Sequence, residues 1–269
     1  MKYKLLATDM DGTLLNDKSE LTERNKSAIV NAVEAGALFV AATGRSMSAV
    51  EFINALFDKD LPFITLNGTV VIMGKSRKLL VNMSLDFDLA KEVYQLGVSR
   101  DIAVIVWTGD RLWVSRECPD TINYQKVACE KMTVIEDFDM MKDQGISKVL
   151  WNGTPDIIDK YRIELSERYN GRLNCFPSRP TFLEFVSIKA DKGIALEEVS
   201  RIFGIDRSEI IAVGDGYNDI SMLRYAGLGI AMGNAPDDVK AACGNVTLTN
   251  NEDGVAEVVE RYLHLPHND

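Results

Sequence analysis

The chain has 269 residues, with 30 Lys and Arg against 40 Asp and Glu, for a formal charge of −10. A net anion with no run of basic residues argues against a generic binder of nucleic acid or of an anionic membrane surface, because both partners repel it. At 46% hydrophobic and 26% charged the composition is globular, with length for one large or two modest cores, which excludes disorder, collagen and coiled coil.

The apolar stretch ahead of Asp9 is far too short for a signal peptide or a membrane span, so a soluble, cytoplasmic protein is expected. Its first strand is Tyr3 to Thr8. A helix follows Leu21, with Thr22 as N-cap and Ala28, Ile29, Ala32 and Val33 on one face, ending near Gly36. Leu38 to Ala42 is the second strand, Arg45 onward a helix through Val50, Ile53 and Leu56, and Pro62 to Leu66 the third strand. Asn67-Gly68 then opens a hairpin to Val70-Val71-Ile72. Alternating strands and helices of this kind make a doubly wound parallel sheet.

From about Met83 the rhythm changes. A helix over Leu89 to Val98 precedes two apolar runs, Ile102 to Trp107 and Leu112 to Val114, around Gly109-Asp110, an antiparallel hairpin. Strands at Lys148 to Trp151, Leu173 to Phe176 and Thr181 to Ile188 surround a helix near Ile157 to Tyr169. After Ile188 the first rhythm resumes, with a helix Gly193 to Phe203 and strands Ile210 to Val213 and Gly229 to Met232. The expected architecture is a Rossmann-like α/β core, residues 1–82 and 188–269, interrupted by an α+β domain, residues 83–187.

Chemistry gathers at strand ends, where open α/β sheets bind ligands. Asp9-Met10-Asp11-Gly12-Thr13 leaves the first strand with two carboxylates and a permissive glycine. Thr43-Gly44-Arg45 ends the second with a hydroxyl and a close-approaching backbone, a natural phosphate cradle. Lys192-Gly193 opens a helix, and Gly214-Asp215-Gly216-Tyr217-Asn218-Asp219 follows another strand. Taken singly, each has a plain structural explanation as a cap, an acidic turn or a solvated charge.

In order and spacing, this set resembles the four motifs of the haloacid dehalogenase superfamily of aspartate-nucleophile phosphatases, and its Cof-type branch in particular. Leu66-Asn67-Gly68, Asp191-Lys192-Gly193, Ala226 to Ala235 and Asp253-Gly254-Val255-Ala256 extend the likeness over the whole core. The resemblance implies Asp9 as nucleophile and Asp11 as general acid and base. It also implies Mg²⁺ held by Asp9, the Asp11 carbonyl and Asp215, with Asp219 behind them. Thr43, Lys192, Asn218 and the backbone of Met10, Asp11 and Gly44 would bind the phosphoryl group, while Arg45 and Asn67 lie nearer the substrate. Ser187 to Asp191 departs from the turn many relatives carry, which leaves Lys189 as a competitor for the part given to Lys192.

The inserted domain is similar to the large α/β cap of this branch, which contacts the leaving group. Trp107, Trp113, Arg179 and Glu184 are candidates there, although aromatic strand residues are more often core and charged ones more often solvated. The implied activity is Mg²⁺-dependent hydrolysis of a small phosphorylated metabolite such as a sugar phosphate, by a monomer or weak homo-oligomer. A phosphotransferase or phosphomutase using the same aspartyl-phosphate, and a non-catalytic binding protein, are the alternatives.

Other signals are set aside. Gly68 to Ser76 spaces its glycines one residue too widely for a Walker loop, and Gly227 to Gly233 has a strand through its middle where a dinucleotide fingerprint needs one before it. Cys118, Cys129, Cys175 and Cys243 show no metal spacing and are expected to be buried free thiols. His264 and His267 sit on a tail expected to fray.

Overall fold

The computed structural model describes residues 2–263, so His264 and His267 lie outside the described residues. In chain order the elements begin with β1 (Leu5–Thr8), α1 (Glu23–Glu34), β2 (Leu38–Ala42), α2 (Glu51–Asn54), β3 (Pro62–Thr65), β4 (Val70–Met73) and β5 (Leu79–Asn82). They continue with α3 (Phe87–Ser99), β6 (Ala103–Thr108), β7 (Arg111–Val114), α4 (Pro119–Ala128), β8 (Met132–Val134), β9 (Ile146–Asn152), α5 (Pro155–Arg168), β10 (Asn174–Arg179) and β11 (Phe182–Val186). The last are α6 (Lys192–Phe203), β12 (Ile210–Gly214), α7 (Ile220–Tyr225), β13 (Leu228–Ala231), α8 (Asp237–Cys243) and α9 (Gly254–Tyr262). No helix among the described residues is long and apolar enough to cross a membrane.

The chain divides into two compact units. One holds the residues up to Gly44, Phe52–Leu80 and those from Asp191 onward; the other holds Arg45–Glu51 and Val81–Ala190. The first is built on a seven-stranded sheet in the order β13-β12-β1-β2-β3-β4-β5. Pairing is parallel from β13 to β3 and antiparallel between β3 and β4, so the α/β sheet is mixed. Every residue of β1 is buried, as the continuous apolar run Leu5-Leu6-Ala7 requires of a strand covered on both faces. Helix α1 starts where Thr22 Oγ1 accepts the Asn25 N–H at 3.2 Å, and it packs against α9. Helix α6 starts where Asp191 Oδ1 accepts from Gly193 N at 2.8 Å and Ile194 N at 3.1 Å, and it ends at Gly204 with φ +65°.

The chain leaves β1 toward β2 on one side and returns to β12 on the other, so the winding reverses between β1 and β12. The crevice at the carboxyl ends of these two strands is where such a sheet binds ligands.

The second unit is a six-stranded sheet in the order β10-β11-β9-β6-β7-β8, antiparallel except for β7 with β8. Its core joins Leu89 and Val93 of α3, Ile158 and Leu165 of α5, and Val104, Val106, Val149, Trp151, Leu183 and Phe185 of the strands. Each fully buried side chain of this size contributes about 2 kcal/mol of transfer free energy. The remaining face carries a polar pair. Glu184 is buried, not solvated, because Lys148 Nζ lies 3.1 Å and Ser178 Oγ 2.7 Å from its Oε1.

Two expectations are corrected. The helix from Arg45 is only a 3-10 turn, Ser48–Val50, and the four residues of α2. Its start is held by side chains, Ser46 Oγ donating to Ala128 O at 2.9 Å and Ser48 to Glu130. The cysteines are free, yet none is fully buried, since they sit at helix ends and on the edge strand β10. The stretch between Val114 and Lys148, unassigned in the sequence, holds α4 and β8.

Candidate active site

Asp9 extends β1 by one residue, its N–H donating to Val213 O at 2.9 Å. The chain then turns tightly, with Leu15 N donating to Met10 O at 2.8 Å, and this leaves the Met10 side chain in the core and Asp11 exposed. Gly12 makes the turn possible, with φ +80°. A β-carbon there would lie 2.5 Å from Asp215 Oδ2, so glycine is also what lets the two loops meet.

From the other strand end, β12 delivers Asp215. Carboxylate oxygens of Asp9, Asp215 and Asp219 all lie within 4.8 Å of one another. Thr13 Oγ1 donates to Asp215 Oδ1 at 2.8 Å. Asp219 is fully committed: its Oδ2 accepts from Asp215 N at 3.0 Å and Gly216 N at 2.8 Å, and its Oδ1 faces Lys192. Lys192 Nζ lies 2.6 Å from both Asp9 Oδ1 and Asp219 Oδ1, with its side chain sealed from solvent. Lys192, rather than the exposed Lys189 of the second unit, is the cation beside Asp9.

Burial pushes the Asp9 carboxyl up to about 8; Lys192 works against that rise, and Asp219 and Asp215 add to it. Asp215 is likewise raised by burial, with the Thr13 hydroxyl opposing. Burial alone depresses the Lys192 ammonium, but Asp9 and Asp219 more than offset it and hold the group above its ordinary value. Three carboxylates facing one ammonium leave a local deficit of positive charge.

Thr43 is buried at the end of β2, its N–H on Ile64 O at 2.8 Å, with Gly44 exposed beside it. Asn67 joins this turn to the acidic loop: its N–H donates to Thr43 O at 2.9 Å, and its Oδ1 accepts from Asn218 Nδ2 at 3.0 Å. Arg45 falls in the second unit. There Trp107 is buried with its Nε1 on Tyr124 OH at 3.0 Å, Trp113 Nε1 donates to Thr108 at 2.8 Å, and Arg179 lies over the Phe182 ring.

Sequence reasoning passed over Thr13 and Asn234 as site residues. Asn234 Nδ2 donates to Gly12 O at 2.8 Å and its Oδ1 accepts from Asn250 N at 3.0 Å, so the C-terminal loops brace the turn after Asp9. The only sequence signal for either was adjacency to a glycine inside a motif.

An α/β sheet whose winding reversal carries three carboxylates, a buried lysine and a hydroxyl-glycine turn has the groups to bind a divalent cation and a phosphoryl group. A family model described as haloacid dehalogenase-like hydrolase matches residues 6–259, and the chain belongs to that family. It is a phosphatase of the Cof-type branch. It is 31% identical over 260 residues to the 5-amino-6-(5-phospho-D-ribitylamino)uracil phosphatase YcsE of Bacillus subtilis, with 97% of this chain and 96% of that protein covered. Among solved structures, a haloacid dehalogenase-like hydrolase from Bacteroides thetaiotaomicron is 32% identical with a TM-score of 0.85, covering 96% of this chain and 99% of that one. TM0651 from Thermotoga maritima is 31% identical with a TM-score of 0.86, covering 96% and 97%.

Proposed function

We propose that the protein hydrolyses phosphate monoesters of small metabolites, sugar or polyol phosphates among them, through an aspartyl-phosphate on Asp9 and with Mg²⁺ as cofactor. The observation that carries this reading is the Asp9 carboxylate, buried at the winding reversal and held by Lys192 at 2.6 Å. The donor set fits a hard divalent ion: carboxylate oxygens within 4.8 Å of one another, and an Asp9 carboxyl that burial keeps near 8 until positive charge is added. Asp9, Asp215 and the carbonyl of Asp11 would hold the ion, while Asp219, its oxygens already taken, orients Lys192 and the Asp215 backbone. Bound there, Mg²⁺ supplies charge that screens the phosphoryl dianion from the attacking carboxylate.

The chain's own groups divide the rest. An Asp9 oxygen attacks phosphorus as the bond to the leaving oxygen breaks, and Asp11 gives that oxygen its proton. Water then attacks the aspartyl-phosphate, passing a proton to Asp11, so that inorganic phosphate leaves and both carboxyl groups return to their starting states. Thr43, Lys192, Asn218 and the N–H groups of Met10, Asp11 and Gly44 hold the phosphoryl oxygens. The likeness to YcsE, whose name describes a phosphorylated polyol substrate, supports that substrate class.

The test is phosphate release from p-nitrophenyl phosphate and a panel of sugar, polyol and nucleoside phosphates, with Mg²⁺ and with EDTA. Release that requires Mg²⁺ and vanishes in Asp9→Asn supports the reading; release that persists in Asp9→Asn overturns it.

A further inference from the structure

The segment between β3 and β4 is conformationally unusual. Leu66, Asn67 and Gly68 occur in succession with φ of +51°, +58° and +93°. Left-handed backbone is costly for a branched residue such as Leu66 and tolerable for asparagine, and such strain persists only where surrounding contacts impose it. Thr69 holds the turn from within, its N–H and hydroxyl donating to Leu66 O at 3.3 Å and 2.8 Å, and the contacts made beyond it reach phosphate-binding elements assigned above. Asn67 N–H holds Thr43 O at 2.9 Å. A β-carbon on Gly44 would lie 3.0 Å from Asn67 Oδ1 and 3.2 Å from its Nδ2, so the amide lies flat on the Gly44 backbone. A β-carbon on Gly68 would lie 2.4 Å from the Asp191 carbonyl and 2.7 Å from Lys192 N, so the same turn abuts the start of α6. Asn218 Nδ2 donates to Asn67 Oδ1 at 3.0 Å.

We infer that Asn67 is a positioning residue for phosphate binding, acting through Asn218: its amide oxygen fixes the Asn218 side chain against the Thr43-Gly44 turn. This rests on Asn218 being a phosphoryl ligand, as proposed above. Asn218 is exposed and follows the exposed Tyr217; its Oδ1 sits over Gly216, where a β-carbon would lie 2.5 Å away, and its Nδ2 is held by Asn67. With one N–H of Asn218 Nδ2 engaged by Asn67, the second N–H on the same nitrogen is held in a fixed direction for a phosphoryl oxygen, which lowers the ordering cost of binding. Asparagine at 67 meets two demands at once, the left-handed backbone and an acceptor aimed at residue 218.

The experiment uses the full chain with Mg²⁺ and measures kcat, KM and competitive inhibition by inorganic phosphate for Asn67→Gly, Asn67→Ala, Asn218→Ala and the double variant Asn67→Gly/Asn218→Ala. Asn67→Gly permits the left-handed backbone while removing the amide, and Asn67→Ala removes the amide and disfavours that backbone. The expected result is a phosphate inhibition constant and KM raised about fivefold to tenfold in Asn67→Gly, with kcat changed less. Asn218→Ala should show a similar rise, and the double variant should be no worse than the weaker-binding single variant. If Asn218→Ala leaves phosphate inhibition unchanged, the assignment of Asn218 as a ligand falls and the inference with it. If Asn218→Ala weakens phosphate binding while Asn67→Gly does not, or the two losses multiply, the inference alone is overturned. Loss in Asn67→Ala without loss in Asn67→Gly also overturns it, by showing that backbone conformation rather than the amide matters.

Discussion

Asp219 and Lys192 form an ion pair at 2.6 Å in which neither side chain reaches solvent, with exposures of 1% and 0%. A buried pair of this kind is held by its remaining hydrogen bonds, and removing one partner strands the other's charge. Lys192→Ala leaves both Asp9 and Asp219 without their cation. The expected cost is about 3 to 5 kcal/mol of folding stability, measured by urea unfolding in EDTA. A variant as stable as the parent would show that Lys192 does not neutralise the cluster.

Mg²⁺ should stabilise the parent against heat, because an ion bound only by the folded state shifts unfolding by mass action. At an Mg²⁺ concentration about a hundred times its dissociation constant the gain is about 2.7 kcal/mol. Thermal unfolding with and without Mg²⁺ should show a rise in Tm that disappears in Asp215→Ala. An undiminished rise in that variant would move the ion elsewhere.

Thr13 Oγ1 fixes the orientation of Asp215, so Thr13→Val, which keeps the shape and drops the hydroxyl, should weaken Mg²⁺ affinity by about tenfold. The readout is the Mg²⁺ concentration giving half-maximal activity, compared with the parent at saturating substrate. An unchanged value would mean that Asp215 needs no second partner.

In the second unit, Lys148→Ala strands Glu184 and should cost about 3 kcal/mol, whereas replacing both members by apolar residues should cost much less. Burial depresses the Lys148 ammonium and Glu184 more than offsets it, leaving the group above its ordinary value of 10.5. A raised value means that the pair's contribution is whole below 10.5 and fades as pH climbs beyond it. Unfolding curves of parent and double variant across alkaline pH should therefore converge, and parallel curves would contradict the assignment.

Much of the core was legible because its signals are local. Leu38 to Ala42 is strand β2 in both readings, and Thr22 caps α1 because a hydroxyl ahead of an apolar periodicity has few other uses. The carboxylates of Asp9 and Asp215 were legible as ends of buried strands. What escaped depends on distant chain. Helix α4 begins on Cys118 and Pro119, with only Thr121, Tyr124 and Ala128 buried, and this stripe is too mixed to announce a helix. Arg45 precedes an apolar periodicity that suggests a helix, and the helix that forms is short, a 3-10 turn from Ser48 and the four residues of α2, with Ser46 and Ser48 donating to Ala128 O and Glu130. Asn234 meets Gly12 across 222 residues of sequence, and nothing in its neighbours specifies that partner.

Arg45–Glu51 keeps company with Val81–Ala190 although Thr43 and Gly44 directly before it belong to the sheet that carries Asp9. The exchangeable module is therefore discontinuous. A chimaera that transplants residues 81–190 from a relative and leaves 45–51 behind would separate Ser46 and Ser48 from the carbonyl and carboxylate to which they donate. A chimaera is expected to keep its fold when both pieces travel together, so the seven-residue strip belongs with the larger piece rather than with its immediate neighbours in sequence.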